Sequence, residues 1–170
     1  MRRYINYFWL VICHKYWVFV FSMRYGVGLW QALVHDLSKF HPIEFIPYAK
    51  VTFEPDGTKK VFRDSTGSYD PNKMDYGFER AWCHHQRNKH HWQAWVSIGT
   101  EGNLSPVPMP VKYVREMLAD WSGASKTHNG IDIFTWWGAN RSKMVLHPIT
   151  VTRINKILID ILTKDIVKLV

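Results

Sequence analysis

The most chemically informative stretch of the sequence is the adjacent pair His35-Asp36, near the end of a helical pattern and followed by Pro42. A neutral imidazole and an ionised carboxylate are both good ligands for divalent metal ions. Neighbouring residues on a helix point about 100° apart, so the two side chains can share an ion only where the helix ends against it. Other helices must then supply further ligands.

Further candidate ligands occur in other predicted helices or at helix ends, embedded in apolar and aromatic sequence. A buried carboxylate or imidazole is costly unless it is paired or bound to metal, so this placement favours a shared partner. At least two of the four histidines between residues 84 and 91 are expected to be structural or exposed. The candidate metal ligands are His14, His35, Asp36, His84, His85, His90, His91 and Asp120.

Each candidate also has a structural interpretation. His14 could be a hydrogen-bonded core histidine, and Asp120 could cap the turn that follows it. His35 and Asp36 could form an ion pair with Lys39 at the end of their helix. The metal interpretation is favoured because the sequence contains several candidate ligands, and each one supports the assignment of the others to a shared metal.

The order of these residues, H…HD…D, resembles that of the HD-domain metal-dependent phosphohydrolases. With two histidines before the last aspartate, the order H…HD…H…H…D is similar to their two-metal phosphodiesterase branch. More narrowly, the sequence resembles a little-characterised phage and bacterial family of unknown function, over most of the chain from about Trp9 to the final helix. The stretches that carry this narrower resemblance are HDLSKF at 35–40, RNKHHW at 87–92, MPVKY at 109–113 and Asp120-Trp121.

The resemblance implies a cofactor of one or two divalent metal ions, with Asp36 able to bridge them. Mixed histidine and aspartate ligands suit Mn, Fe, Zn, Mg or Ni, so the metal identity stays open. The ligands of the first metal would be His14, His35, Asp36 and Asp120.

The second metal would take two of the histidines between residues 84 and 91. These lie only five to seven positions apart, whereas separate helices supply them in the two-metal branch. On one unbroken helix His84 and His91 would share a face, but a bend at Asn88-Lys89 would equally allow His85 with His90 or His91. The sequence leaves this choice open.

The chemistry implied is hydrolysis of a phosphoester, with a nucleotide or a related small phosphate compound as the substrate. A divalent metal lowers the pKa of bound water from about 15.7 toward roughly 7 to 9 and polarises a phosphoryl oxygen. Lys39, Arg87 and Lys89 are the candidate phosphate-binding residues. The candidate catalytic residues are Asp36, Lys39 and His85, where His85 represents a spare histidine that could protonate the leaving group.

The charge balance restricts the classes of partner. The 170 residues include 22 basic and 14 acidic ones, a formal charge of +8, which favours nucleotide phosphates, nucleic acid or a membrane surface. The sequence contains no P-loop, GxGxxG or GxSxG motif, which sets aside P-loop nucleotide binding, dinucleotide redox chemistry and serine hydrolysis. The alternative function is non-catalytic binding or sequestration of a nucleotide or nucleic acid by a phage-type protein with a structural metal.

The cysteines and the apolar N-terminal run bear on the cellular compartment of the protein. Cys13 and Cys83 form no CxxC pair, which suits a cytoplasmic protein, in the host cytoplasm if phage-encoded. The apolar run 4–23 could be a signal peptide or a membrane span. Because His14 and Lys15 interrupt it, we expect a buried amphipathic helix and no membrane association.

The hydrophobic periodicity predicts an all-α, HD-like bundle of about six helices in a single domain, 1–170, with a small loop or hairpin insertion near 51–70. Loops are predicted over 99–110 and 122–130, and the oligomeric state stays open. The predicted helices span 4–23, 29–40, 43–49, 72–87 with a continuation over 90–98, 111–121, and a final stretch from Pro148.

Overall fold

The computed structural model describes residues 1–128 and 130–167 and confirms the all-α class. One two-stranded antiparallel sheet accompanies the helices, formed by β1 (Val96–Ile98) and β2 (Leu104–Pro106). The α-helices in the described residues are α1 (Arg2–Tyr25), α2 (Leu29–Val34), α3 (Pro42–Thr52), α4 (Tyr76–His85), α5 (Val111–Thr127), α6 (Ile133–Asn140) and α7 (Pro148–Val167).

α1 is the central helix, packing mainly against α5 and also against α2 and α3. It ends at Gly26, which has φ 70, a left-handed conformation that glycine adopts without a Cβ penalty. No described helix, α1 included, has the length and apolar character needed to cross a membrane. One stripe of α1 is buried, as the amphipathic interpretation predicts: Tyr7, Val11, His14, Val18, Ser22 and Tyr25.

The helices enclose two apolar clusters. One joins the C-terminal half of α1 to α5, α6 and α7, and includes Val18 and Met117. The other joins the N-terminal half of α1 to α3 and α4, and includes Val11 and Phe78. His14, between Val11 and Val18 on α1, therefore lies where the two clusters meet.

Gly123 of α5 allows α1 and α5 to approach closely near this junction. A Cβ at Gly123 would lie 2.9 Å from the backbone nitrogen of Val18 and 2.6 Å from its Cγ2, too close without a shift of the helices. The loop predicted over 122–130 is wrong as far as Thr127, because α5 continues through it. The small residues there permit helix packing.

The chain around α4 also departs from the prediction. The helix predicted over 72–87 begins only at Tyr76 and ends at His85, and the predicted continuation over 90–98 is wrong. Two successive turns follow α4, closed by hydrogen bonds from the Asn88 nitrogen to the His85 oxygen and from the His91 nitrogen to the Asn88 oxygen. A 3₁₀ turn then leads into β1.

The insertion predicted near 51–70 is present as an irregular excursion between α3 and α4. Phe53 and Lys59 form one antiparallel bridge around a turn that contains Gly57 at φ 95. α6 is a helix that the sequence pattern did not predict, whereas α7 begins at Pro148 as expected.

Candidate metal centre

The His35-Asp36 pair lies at a sharp bend and not inside the helix predicted over 29–40. α2 ends at Val34, and Asp36 has φ 55, a left-handed conformation that is uncommon outside glycine but tolerated by aspartate. Lys15 of α1 supports the bend, since its Nζ donates to the carbonyl oxygens of Leu33, at 3.2 Å, and of His35. Both side chains of the pair are buried, with His35 2% and Asp36 3% exposed.

The four residues that the resemblance assigns to a first metal lie together. Nε2 of His14, on α1, is 3.3 Å from Oδ2 of Asp36 and 3.1 Å from Oδ1 of Asp120, on α5. Nε2 of His35 is 3.5 Å and 3.6 Å from the same two oxygens. All four side chains are buried, and the ligand atoms lie within 4.8 Å of one another.

A second group forms around the other oxygen of Asp36. Its Oδ1 is 3.2 Å from Nε2 of His90 and 3.9 Å from Nε2 of His85. Nε2 of His91 lies 2.9 Å from Nε2 of His85. The structure therefore selects His85, His90 and His91 from the histidines left open by the sequence, whereas the side chain of His84 is 43% exposed and lies outside the group.

Two of the four distances in the first group, 3.1 and 3.3 Å, match the edges of a metal coordination polyhedron, and the other two, 3.5 and 3.6 Å, are slightly longer. Two ligand atoms about 2.1 Å from one ion, and roughly 90–110° apart, are separated by roughly 3.0–3.4 Å. Although these atoms are close, the buried Nε2 atoms of His14, His35 and His90 and Oδ1 of Asp36 make no hydrogen bond. A buried polar atom without a partner costs about 1–3 kcal/mol. Convergence of four such atoms fits a cation better than a hydrogen-bonded core.

Two buried glutamates, which the sequence prediction did not include, contact the outer nitrogens of the histidines. Oε1 of Glu116 lies 3.0 Å from Nδ1 of His35 and 3.4 Å from Nδ1 of His90. Oε2 of Glu44 lies 2.9 Å from Nδ1 of His85. An ionised carboxylate only accepts, so each Nδ1 donates and each Nε2 is left free to bind metal. The glutamates therefore direct the Nε2 atoms toward the centre of the site.

The sequence carried a signal for one of these glutamates. Glu116 lies four positions before Asp120 on α5, and residues at this spacing share a helix face. Glu44 follows Pro42 in the first turn of α3, where an acidic residue ordinarily stabilises the helix start from the surface. Its side chain is nevertheless fully buried, and no local pattern indicates that.

Neighbouring charges keep the buried carboxylates ionised. Burial alone opposes ionisation of Asp36, but the charges of His35 and Lys39 hold its pKa well below the ordinary value. The histidines beside Asp120 likewise outweigh burial and hold its pKa well below its usual range. At Glu116 burial is outweighed by the two histidine partners, and the pKa falls to about 2.

For two of the histidines, burial is not outweighed by neighbouring charges and favours the neutral ring. It lowers the pKa of His91 well below the ordinary value and, together with the charge of Lys39, lowers that of His85. Both rings are therefore neutral near pH 7, which is the metal-binding form. At His35 burial also disfavours the proton, but the charge of Asp36 outweighs it and raises the pKa well above the ordinary value.

Two cavities border the cluster. The larger, about 940 Å³, is lined in part by His14, His85, His91 and Asp120. The smaller, about 520 Å³, is lined in part by His35, Asp36, His90 and Glu116. Structural metal sites are closed, whereas catalytic sites keep a position for water or substrate. The cavities therefore favour a site that a ligand can reach.

Among the predicted phosphate-binding residues in the described chain, only Lys39 borders the larger cavity. Its Nζ lies 2.5 Å from Oδ2 of Asp36, and although burial disfavours the charge, the neighbouring carboxylates raise its pKa. Lys89 is exposed and borders the smaller cavity. Arg87 is exposed and borders neither.

The fold and the site together define a class of protein: a helical protein whose buried histidines and carboxylates could hold two metal ions. The chain belongs to a family of unknown function (DUF5662), whose model matches residues 4–160. That span includes the whole cluster, from His14 to Asp120. No curated protein and no solved structure matches the chain. Membership therefore assigns no activity.

Proposed function

We propose that this protein is a metal-dependent phosphohydrolase or phosphodiesterase that acts on a nucleotide or a related small phosphoester. The observation that most directly supports this is the position of Asp36. Its Oδ2 faces His14 and His35, and its Oδ1 faces His85 and His90. A carboxylate whose two oxygens face separate sets of nitrogens is suited to bridge the two ions of a phosphoester-cleaving centre.

The ligands divide into two sets that share Asp36. Two divalent ions held by them would lower the pKa of a bound water and polarise phosphoryl oxygens. Mn, Fe, Zn, Mg and Ni all accept such ligands, so the proposal does not depend on which ion binds. The first set is His14, His35, Asp36 and Asp120, and the second is Asp36, His85, His90 and His91.

Three side chains of the larger cavity could bind the oxygens of the substrate. The ammonium group of Lys39, held against Asp36, would contact a phosphoryl oxygen that enters from this cavity. The buried hydroxyls of Tyr7 and Tyr48 border the same cavity and make no hydrogen bond. Burial raises the pKa of both tyrosines well above the ordinary value, so they remain O–H donors.

His85, predicted as a catalytic group from the sequence, fits a ligand role better. Its Nδ1 contacts Glu44, and its Nε2 faces Asp36 and His91. Burial lowers its pKa, so the ring is neutral and carries one proton, which Nδ1 donates to Glu44. His85 therefore has no free proton to give to a leaving group.

Non-catalytic binding of a nucleotide or nucleic acid around a structural metal is the alternative. The structural role of the metal leaves unexplained why the candidate ligands border two cavities, since structural metal sites are closed. A strong salt dependence of nucleic-acid affinity without phosphate release would nevertheless favour it.

The test compares Asp36→Ala with the parent protein and with Asp160→Ala, which removes an exposed carboxylate of α7. We expect the parent and Asp160→Ala to retain transition metal, counted by elemental analysis, and to release phosphate from a panel of phosphoesters. Asp36→Ala should lose both properties, because it removes a ligand of both ions. A metal-replete, active Asp36→Ala protein, or a parent that binds none of Mn, Fe, Zn, Mg and Ni, would refute the proposal.

A further inference from the structure

The lining of the larger cavity includes an arginine, Arg63, outside the metal cluster. Arg63 lies between α3 and α4, with its guanidinium carbon 5.0 Å from the ring centre of Tyr69 and 5.5 Å from that of Phe62. Its Nη1 donates to the carbonyl oxygen of Gly67 at 2.8 Å. Its Nε is buried without a hydrogen bond, and no carboxylate of the described residues forms an ion pair with it.

The segment that carries Arg63 is held in place by its own contacts. Oδ1 of Asp64 accepts a hydrogen bond from the backbone nitrogen of Thr66 at 2.9 Å. The buried amide of Asn140, on α6, donates to the carbonyl oxygen of Thr66 at 3.1 Å, and Lys143 donates to its hydroxyl at 2.9 Å. Oδ2 of Asp64 also lies 3.5 Å from Nζ of Lys143, so Asp64 is paired elsewhere and Arg63 has no carboxylate partner among the described residues.

The rest of this wall is largely aromatic. His128 borders the same cavity, and burial, together with the charges of Arg63 and Lys59, lowers its pKa to about 3. A cavity of about 940 Å³ lies near the upper end of the range for small-molecule sites, roughly 300–1,000 Å³, and exceeds what one phosphoryl group needs. The aromatic residues that line it include Phe62, Tyr69, Trp82, Trp92, Trp121 and Trp136.

We infer that Arg63 binds a second anionic group of the substrate, which is therefore an organic phosphoester that carries a further phosphate or carboxylate. The scissile phosphoryl group lies at the metal cluster beside Lys39, the second anion lies at Arg63, and the organic body packs against the aromatic wall. A guanidinium presents a planar fork of donors that matches both phosphate and carboxylate. The inference rests on the proposed function, because it assumes that the cluster binds the scissile end.

Non-hydrolysable phosphonates test this in the Mn-loaded protein. Alkylphosphonates of increasing chain length are compared, by calorimetry, with bisphosphonates of the same lengths. At the chain length that spans the distance from the metal cluster to Arg63, the bisphosphonate should bind roughly ten- to a hundredfold more tightly than the alkylphosphonate of that length, as expected for one added charge-assisted contact. Arg63→Gln should bring this ratio close to one, whereas Arg80→Gln, an exposed arginine of α4, should preserve it.

Arg63→Lys keeps the charge and loses the fork, so it should give an intermediate ratio, and it replaces Arg63→Gln if that variant does not fold. Carboxyalkylphosphonates of the same length show which anion Arg63 prefers. A ratio near one at every length, or one that is unchanged in the Arg63 variants, overturns the second anion site and leaves the metal site intact. Failure of every phosphonate to bind the Mn-loaded protein overturns both.

Discussion

Replacement of Glu116 by glutamine should weaken both proposed metal sites, whereas the same replacement of Glu44 should weaken only one. Oε1 of Glu116 contacts His35 of the first ligand set at 3.0 Å and His90 of the second at 3.4 Å. Among the proposed ligands, Glu44 contacts only His85, which belongs to the second set, at 2.9 Å. The pair is matched, because both glutamates are buried and both changes preserve side-chain size.

The expected magnitude follows from the number of histidines that each glutamate supports. Loss of a carboxylate partner of a metal-binding histidine typically reduces metal affinity by about 10–100-fold. In Glu116→Gln we therefore expect both dissociation constants to rise by roughly this factor. In Glu44→Gln only the constant of the second site should rise.

The assay titrates metal-free protein with Mn or Zn in the presence of a competing chelator and resolves two binding steps, with elemental analysis fixing the stoichiometry. Thermal unfolding of the metal-free variants controls for a general loss of structure. If Glu116→Gln changes one step only, or if Glu44→Gln weakens both steps equally, Glu116 does not connect the two sites and the division of ligands is wrong.

Two further predictions concern helix packing and pH. Gly123→Ala should lower the melting temperature, with a loss of roughly 1–3 kcal/mol in unfolding free energy, and should weaken the first metal site by separating His14 from Asp120. The control Gly138→Ala, whose Cβ would meet nothing within 4 Å, should do neither. An unchanged metal affinity in Gly123→Ala would contradict the packing argument. The pKa of His128 falls from 6.5 to about 3 on folding, so its neutral ring contributes stability above about pH 6.5 that is lost as the pH falls toward 3. In urea unfolding of the metal-free proteins, the free energy of unfolding of the parent should therefore fall by up to about 1.4 kcal/mol per pH unit more than that of His128→Gln within that window. Equal dependence of this free energy on pH in the two proteins would contradict the prediction.

The sequence indicated which residue types could bind metal but not how the histidines pair. His84 and His91 would share a face only if the helix continued past residue 85, and it does not. Asn88-Lys89 correctly signalled a bend. The direction of the bend, which brings His90 and His91 back beside Asp36, depends on contacts with other helices that no local pattern contains.

Residues 122–127 show why part of the fold could not be predicted from local composition. Ser122, Gly123, Ala124 and Ser125 are small, and a run of small and polar residues is typical of a loop. In the structure they lie on α5, and Gly123 lies against the backbone of Val18. Their composition is explained by close packing with α1, a helix distant in sequence, and this tertiary contact outweighs the local propensity.

The candidate metal ligands lie between the two apolar clusters, and this position explains why so many ionisable side chains are buried together. His85 lies on α4, which packs in one apolar cluster, and Asp120 lies on α5, which packs in the other. Asp36 faces ligands from both helices, and α1 is common to both clusters through the stripe that contains His14. Buried polar groups destabilise a fold unless they are satisfied. Cations at this position would satisfy them and, by the same bonds, fix α4 relative to α5, so the stability of the junction and the geometry of the proposed site depend on the same side chains.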